Sequence, residues 1–224
     1  MKTLRGSLLC FVVLFFLVPL LSGRDLSKYR DFTLGMSLTK LLERTDQKMT
    51  DVKTIHSRPA LIEELNWWPP KASGASLQSD SVERVLFSFY NGELYKISVT
   101  YDRLSTAGLT DEDMMRSISV KYGPATIAAP ELGPAVDGSY DPKQKSVASW
   151  EDAQYSLSLV RSSFNDVLGL VVFSKRANAE ADAATAEAVK LDQQEGPKRE
   201  ADRLKKQTDD LQVTRERNQR SFRP

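Results

Sequence analysis

The chain contains one histidine, His56, and one cysteine, Cys10. An imidazole titrates near neutrality and could act as a general base. Such a base needs its nucleophile and orienting partner within hydrogen-bond reach. No serine, cysteine or carboxylate near His56 forms a recognisable triad signature, so the residue reads as structural. Cys10 lies inside an apolar N-terminal run. Removing that run leaves no thiol, and disulfide, thiolate and cysteine-metal chemistry go with it. One histidine also rules out a histidine-rich metal site within a single chain. Asp111-Glu112-Asp113 could offer carboxylate oxygens to a divalent cation. The spacing lacks the glycine and terminal glutamate of a calcium loop, whereas three acids at a helix start complement its positive end. Glu151-Asp152 falls at a predicted turn and reads the same way. Glycine-rich phosphate loops, GxSxG elbows and HExxH are absent. No catalytic residue, cofactor or metal ligand is assigned, and the expectation is a protein that is not an enzyme.

Binding chemistry is better represented. Trp67-Trp68-Pro69-Pro70 is the most unusual local composition. Exposed tryptophans stack on sugars or anchor a protein partner; the alternative is that at least one of them is core. Tyr90 and Lys96, on the outer side of a predicted hairpin, complete the candidate partner-binding set of Trp67, Trp68, Tyr90 and Lys96. Near the C-terminus, Lys205-Lys206, Arg215, Arg217, Arg220 and Arg223 could touch anionic lipid, peptidoglycan or nucleic acid. Acidic residues are interleaved as far as Glu216, the pattern of a solvated helix face. With Lys+Arg 31 against Asp+Glu 30 and a net charge of +1, no overall basicity points to nucleic acid.

The element that must position these residues is Val82–Tyr101, two strands rich in β-branched and aromatic residues around Asn91-Gly92. Asn-Gly favours a two-residue turn, which would pair Phe87 with Lys96 and Val85 with Ser98. A three-residue loop, Tyr90-Asn91-Gly92, pairs Phe87 with Tyr95 and Val85 with Ile97 and keeps the apolar residues on one face. The three-residue loop is therefore expected, with Leu86, Ser88, Tyr90, Lys96 and Ser98 on the other face. A hairpin alone is marginal in water and needs further strands or a helix.

Around it, Phe32 to Met36 reads as a short strand, and Ser37 as the N-cap of a helix carrying Leu38, Leu41 and Leu42. Residues 59–68 fit a helix or a strand, with strand preferred and Leu61, Leu65 and Trp67 sharing a face that must tolerate Glu63. Residues 71–80 and 125–145 have loop composition. Thr110 and Asp113 form an aspartate variant of the capping box for a helix bearing Met114, Met115, Ile118 and Tyr122, ended by Gly123-Pro124. Strands follow at Val147 to Trp150, around Leu157, and at Val167 to Phe173, the last central in the sheet. The fold class is α+β, an antiparallel sheet covered by two short helices.

Gly35-Met36-Ser37 before a short helix, followed by the Asn91-Gly92 hairpin, resembles small exported α+β domains of bacterial envelopes, such as outer-membrane-assembly lipoproteins and β-lactamase-inhibitor-like domains. The resemblance covers about residues 30–101 and implies a module that binds other proteins. The chain lacks a lipid-bearing cysteine at a cleavage point, so lipid tethering does not carry over.

Three segments result. Residues 1–23, with Lys2 and Arg5 ahead of the apolar Leu8 to Leu21, read as an export signal, either cleaved or retained as an anchor, membrane contact being expected only if it is retained. Residues 24–175 form the α+β domain. Residues 176–224 form a charged helical tail. There Ala177, Ala181, Ala184, Ala188 and Leu191 follow a thin coiled-coil spacing, Gly196-Pro197 interrupts it, and Ala201, Leu204, Thr208 and Leu211 repeat it. The tail is expected to be solvent-exposed and partly disordered. The functional expectation is a non-enzymatic, exported protein-interaction or scaffold module of the cell envelope, periplasmic or extracellular. Its partner is another envelope protein, with self-association through the tail as a further possibility. The alternative is a small-ligand or cell-wall glycan-binding domain using exposed tryptophans.

Overall fold

The computed structural model describes residues 25–70, 80–128, 144–163 and 166–223. The expected export signal, nearly all of 71–80, most of 125–145 and Asn165 lie outside them. Eight strands form one antiparallel sheet: β3 (Val52–His56), β4 (Ile62–Trp67), β5 (Val82–Tyr90), β6 (Glu93–Tyr101), β7 (Ile127–Ala128), β8 (Gln144–Glu151), β9 (Tyr155–Ser162) and β10 (Leu168–Ser174). Their spatial order is β3-β4-β5-β6-β10-β9-β8-β7. The apolar run of β10 is central, as its composition implies, and residues 62–67 are strand. A separate two-residue pair, β1 (Lys28–Tyr29) with β2 (Phe32–Thr33), precedes helix α1 (Leu38–Thr45). Helix α2 (Asp111–Tyr122) lies between β6 and β7, and α3 (Lys175–Ser221) follows β10.

The topology repeats. α1 leads into the meander β3-β4-β5-β6, and α2 into the meander β7-β8-β9-β10, and the two last strands pair with each other. Each helix is entered through a Gly-Xaa-Ser/Thr step, Gly35-Met36-Ser37 and Gly108-Leu109-Thr110, whose glycines have φ of +85° and +82°. The first step is tied to the hairpin of its own half. The Gly35 N–H donates to Leu94 O at 2.7 Å, Leu94 N–H to Met36 O at 2.9 Å and Leu38 N–H to Gly92 O at 3.0 Å. In the second half Arg161 does the same work with its side chain, reaching Asp111 at the start of α2 and Asp166 at the β9–β10 turn.

One face of the sheet carries the main core. Leu65, Phe87, Ile97, Trp150, Leu157, Leu159 and Val172 are fully buried there. They pack with Leu38, Leu41 and Leu42 of α1 and Met114, Ile118 and Tyr122 of α2. Each such side chain contributes about 1.5–3 kcal/mol. The Trp150 indole N–H donates to Gly123 O at 2.7 Å, locking β8 to the end of α2. α2 has the expected capping box: Thr110 Oγ1 accepts from Asp113 N–H, and the Asp113 carboxylate accepts from Thr110 N–H, both at 3.1 Å. Ser37 occupies the N-cap position of α1, but its hydroxyl makes no capping bond.

The hairpin corrects the expected loop. Tyr90 pairs with Glu93 and Phe89 with Leu94, so the loop is the two residues Asn91 and Gly92, with φ of +50° and +81°. Both positive values suit the turn that matches strand twist. A register shift between Ser88 and Phe89 then inserts one extra residue in β6, so Phe87 pairs with Ile97 and Val85 with Val99. The apolar face is restored by a bulge instead of a longer loop. Tyr95 consequently leaves that face and joins Ile62 and Ala181 in a second cluster on the other side. Leu61 precedes β4 and is half-buried, while Glu63 shares the face of Leu65 and Trp67 and is buried there, beside Phe89.

The tail differs most from expectation. α3 is one helix of 47 residues that runs through Pro197 and continues to Ser221. Proline normally clashes with the Cβ of the preceding residue and removes a helical hydrogen bond. Here the preceding residue is Gly196, which has no Cβ and faces open space. The alanine seam is likewise no free coiled coil: Ala181 and Ala188 are buried, Ala177 is half-buried, and α3 lies across the second face of the sheet. Small side chains let the helix axis approach the strands. The sheet is therefore covered on one face by α1 and α2 and crossed on the other by α3.

Candidate functional site

The four candidate binding residues do not form one site. The two tryptophans stand in different surroundings, because β4 ends between them. Trp67, the last residue of β4, turns toward the main core. Its ring meets Phe32 edge-on at 5.5 Å between centroids and lies 6.3 Å from Phe87. Trp68, just beyond the strand, is 61 % exposed. Tyr90 and Lys96 lie on the face crossed by α3. Tyr90 is half-buried against the cluster of Ile62, Tyr95 and Ala181, and Lys96 is only 6 % exposed. Trp67 is thus partly buried in the main core, and Trp68 alone of the two is exposed.

The face that carries Lys96 holds a groove of about 480 Å³ between the sheet and the flank of α3. Its floor includes Ser88, Lys96, Ser98 and Gly169, and Asp182 and Thr185 of α3 form a wall. Gly169 keeps the floor open: a Cβ there would stand 2.9 Å from Val99 O and 3.2 Å from a Val160 methyl. The groove offers hydroxyls and charges of both signs, without histidine or cysteine. It can hydrogen-bond to a polar group seated in it. Among the described residues no group of three or more His, Cys, Asp or Glu side chains could hold a metal ion. Asp111 and Asp113 are engaged with Arg161 and Thr110.

α3 is pinned at both margins of the sheet. At its root, Lys175 Nζ donates to Glu151 Oε2 at 2.8 Å, and Ser149 and Ser156 hydroxyls donate to the same carboxylate at 2.9 and 3.4 Å. Partial burial would raise the Glu151 pKa, but Lys175 and the hydroxyls outweigh it and hold the carboxyl below its ordinary range. At the far margin Arg58, between β3 and β4, grips Glu195 with contacts of 2.7 and 3.5 Å; the guanidinium lowers the Glu195 pKa. Elsewhere a paired arginine serves the body itself. Arg30 grips Asp80 through two contacts of 2.6 Å, closing the β1–β2 turn against the approach to β5.

Beyond Glu195 the helix leaves the body. From Pro197 every described residue is exposed, over roughly 37 Å at 1.5 Å per residue. Leu204 is 50 % exposed, Leu211 64 % and Phe222 76 %. Sequence reasoning finds the spacing of this stretch but not the groove residues Gly169, Asp182 and Thr185 or the Arg58–Glu195 pin. The run of small residues at helical spacing from Ala177 to Ala188 is the signal for a helix lying close on a neighbour. Among the described residues, no helix is long and apolar enough to cross a membrane.

No protein-family model matches the chain, and no curated protein and no solved structure matches it either.

Proposed function

We propose that the protein is an exported, non-enzymatic interaction or scaffold module of the bacterial cell envelope. In it the two-part α+β body serves as a rigid base and the free half of α3 as the docking element. The observation that carries this reading is the overhang itself. A helix that is polar on most sides and touches none of the other described residues draws little stability from packing. Yet it keeps Leu204, Leu211 and Phe222 exposed. The exposed Arg58–Glu195 ion pair marks where the overhang leaves the body, and a helix continuing unbroken from that point suits a spacer or docking arm. The positively charged start and apolar core of residues 1–23 support export.

The test is retention of envelope components by the full chain and by a chain ending at Pro197. This end point keeps the part of α3 that packs on the sheet, so the body stays intact. The full chain is expected to retain a component that the shortened chain loses. If the two retain the same set, the docking role of the overhang is wrong. Fractionation of cells expressing the chain with and without residues 1–23 tests export; equal amounts outside the cytoplasm would refute it.

A further inference from the structure

We propose that the occupant of the overhang is a second copy of this chain, paired as a short, parallel, in-register coiled coil over residues 198–222. This deepens the docking reading above and rests on it. Ala201, Leu204, Thr208, Leu211, Arg215, Asn218 and Phe222 alternate at spacings of three and four, the a and d positions of a heptad. All lie on helix or its immediate end and all are exposed. Two surface hollows follow this stripe. One is lined by Leu211, Thr214, Arg215, Asn218, Gln219 and Phe222. The other runs from Thr208 and Leu211 past Gln212 and Arg215 to Gln219. Leu211, Thr214, Arg215 and Asn218 are a d-g-a-d set, and Thr208, Leu211, Gln212 and Arg215 an a-d-e-a set, the two kinds of hole that receive a knob from a facing helix.

Orientation follows from which residues meet. In-register parallel pairing sets leucine on leucine at 204 and 211, asparagine on asparagine at 218 and phenylalanine on phenylalanine at 222. Antiparallel pairing about the middle of the stretch sets Leu204 against Arg215 and leaves Ala201 against Asn218. Between flanking positions, parallel pairing brings Glu200 to Lys205 of the second copy, an attractive contact. The next flanking pair, Gln207 with Gln212, is neutral, so no like charges oppose each other at these flanks. Arg215 is the one unfavourable layer, and its long side chain can turn its guanidinium out to water. With only three well-filled apolar layers the seam is small, in the range of transient interfaces. The association is weak, with a dissociation constant on the order of tens of micromolar.

The test uses the full chain in a Cys10→Ser background. Sedimentation from about 5 to about 300 µM is expected to show a monomer shifting to a dimer, and Leu211→Asp to hold the chain monomeric throughout. Single cysteines report the geometry. With oxidised glutathione, Thr208→Cys is expected to form intermolecular disulfides at least ~10-fold faster than Val213→Cys, which faces away from the seam. A monomer at all concentrations with equal rates at the two positions overturns the proposal. So does a dimer that Leu211→Asp leaves intact, since it would form elsewhere. A mixture of Ala201→Cys and Asn218→Cys chains that cross-links faster than Thr208→Cys overturns the parallel arrangement. If the full chain is monomeric but still retains an envelope component that the chain ending at Pro197 loses, the second copy is the wrong occupant while the docking reading stands.

Discussion

Replacing Ala181 with leucine probes the placement of α3 directly. Ala181 is 1 % exposed and packs on Ile62 and Tyr95, themselves 4 % and 8 % exposed. Three added carbons have no room, and overpacking of this kind costs about 1–3 kcal/mol. The cost has a ceiling. α3 packs on the second face, apart from the main core, so it can lift from the sheet without unfolding the rest. The penalty then equals the docking free energy, which is mainly the re-exposure of Ile62 and Tyr95 at about 1.5–3 kcal/mol for each side chain fully exposed. A clash below this ceiling lowers the urea midpoint of the whole body, followed through the fluorescence of buried Trp150. A clash above it leaves that midpoint near the value for an undocked helix and raises amide exchange selectively over 177–195. The control is Ala201→Leu on the overhang, expected to change body stability by less than about 0.5 kcal/mol. If Ala181→Leu shifts neither the midpoint nor the exchange of 177–195, the helix does not lie on the sheet and the placement of the alanine seam is wrong.

Other expectations concern the joints of the body. The Glu151 carboxyl is held below the ordinary value of 4.5 by Lys175 and two hydroxyls. A depressed folded-state pKa contributes stability above the unfolded value that is lost as pH falls through the folded one. Exchange at the root of α3 should therefore rise on acidification below about pH 4.5, and Glu151→Gln should remove that step; a step of the same size in the variant would assign it to another group. Gly92→Ala should cost about 1–2 kcal/mol, because its φ of +81° is strained for any residue with a Cβ; an unchanged thermal midpoint would refute the turn geometry. Trp150→Phe should cost roughly 2–4 kcal/mol through the lost volume and the unpaired Gly123 carbonyl, read by urea unfolding, and a loss under 1 kcal/mol would mean water replaces the bond. Titration with cell-wall fragments should leave Trp67 unquenched, since its ring is packed on Phe32; quenching of a Trp68→Phe variant would count against that and for a glycan site at Trp67.

Much of the body is legible from local signals. Thr110 and Asp113 mark the start of α2, Gly123-Pro124 its end, and the apolar run from Leu168 to Phe173 a central strand, because each depends on residues within a few positions. The hairpin loop is not legible in this way. Whether the odd residue sits in the turn or in a bulge is decided by which side chains α3 covers, and that brings Tyr95 next to Ala181 from far along the chain. The tail misleads for a similar reason. Alanines at spacings of three and four describe a helix that approaches something closely, and do not say whether that neighbour is another helix or a sheet. The internal repeat is written in Gly35-Met36-Ser37 and Gly108-Leu109-Thr110, but unequal loops break the periodicity that would expose it. Of the candidate site, Tyr90 and Lys96 fall on the face expected from strand alternation. The separation of Trp67 from Trp68 depends on where β4 ends.

The order of the strands also constrains the order of assembly. Each meander pairs strands adjacent in sequence and can close locally, whereas β6 and β10 meet from opposite halves of the chain, a contact that bears a larger loop-closure cost. α3 begins in the second half, yet rests on Ile62 and reaches Arg58 in the first. Its docking surface does not exist until that late pairing is complete. Release of α3 should thus leave the halves paired, while weakening the β6–β10 junction should free the helix as well. A Val172→Ala substitution is expected to slow folding more than Ala188→Gly does, and equal folding rates in the two variants would count against this sequence of events.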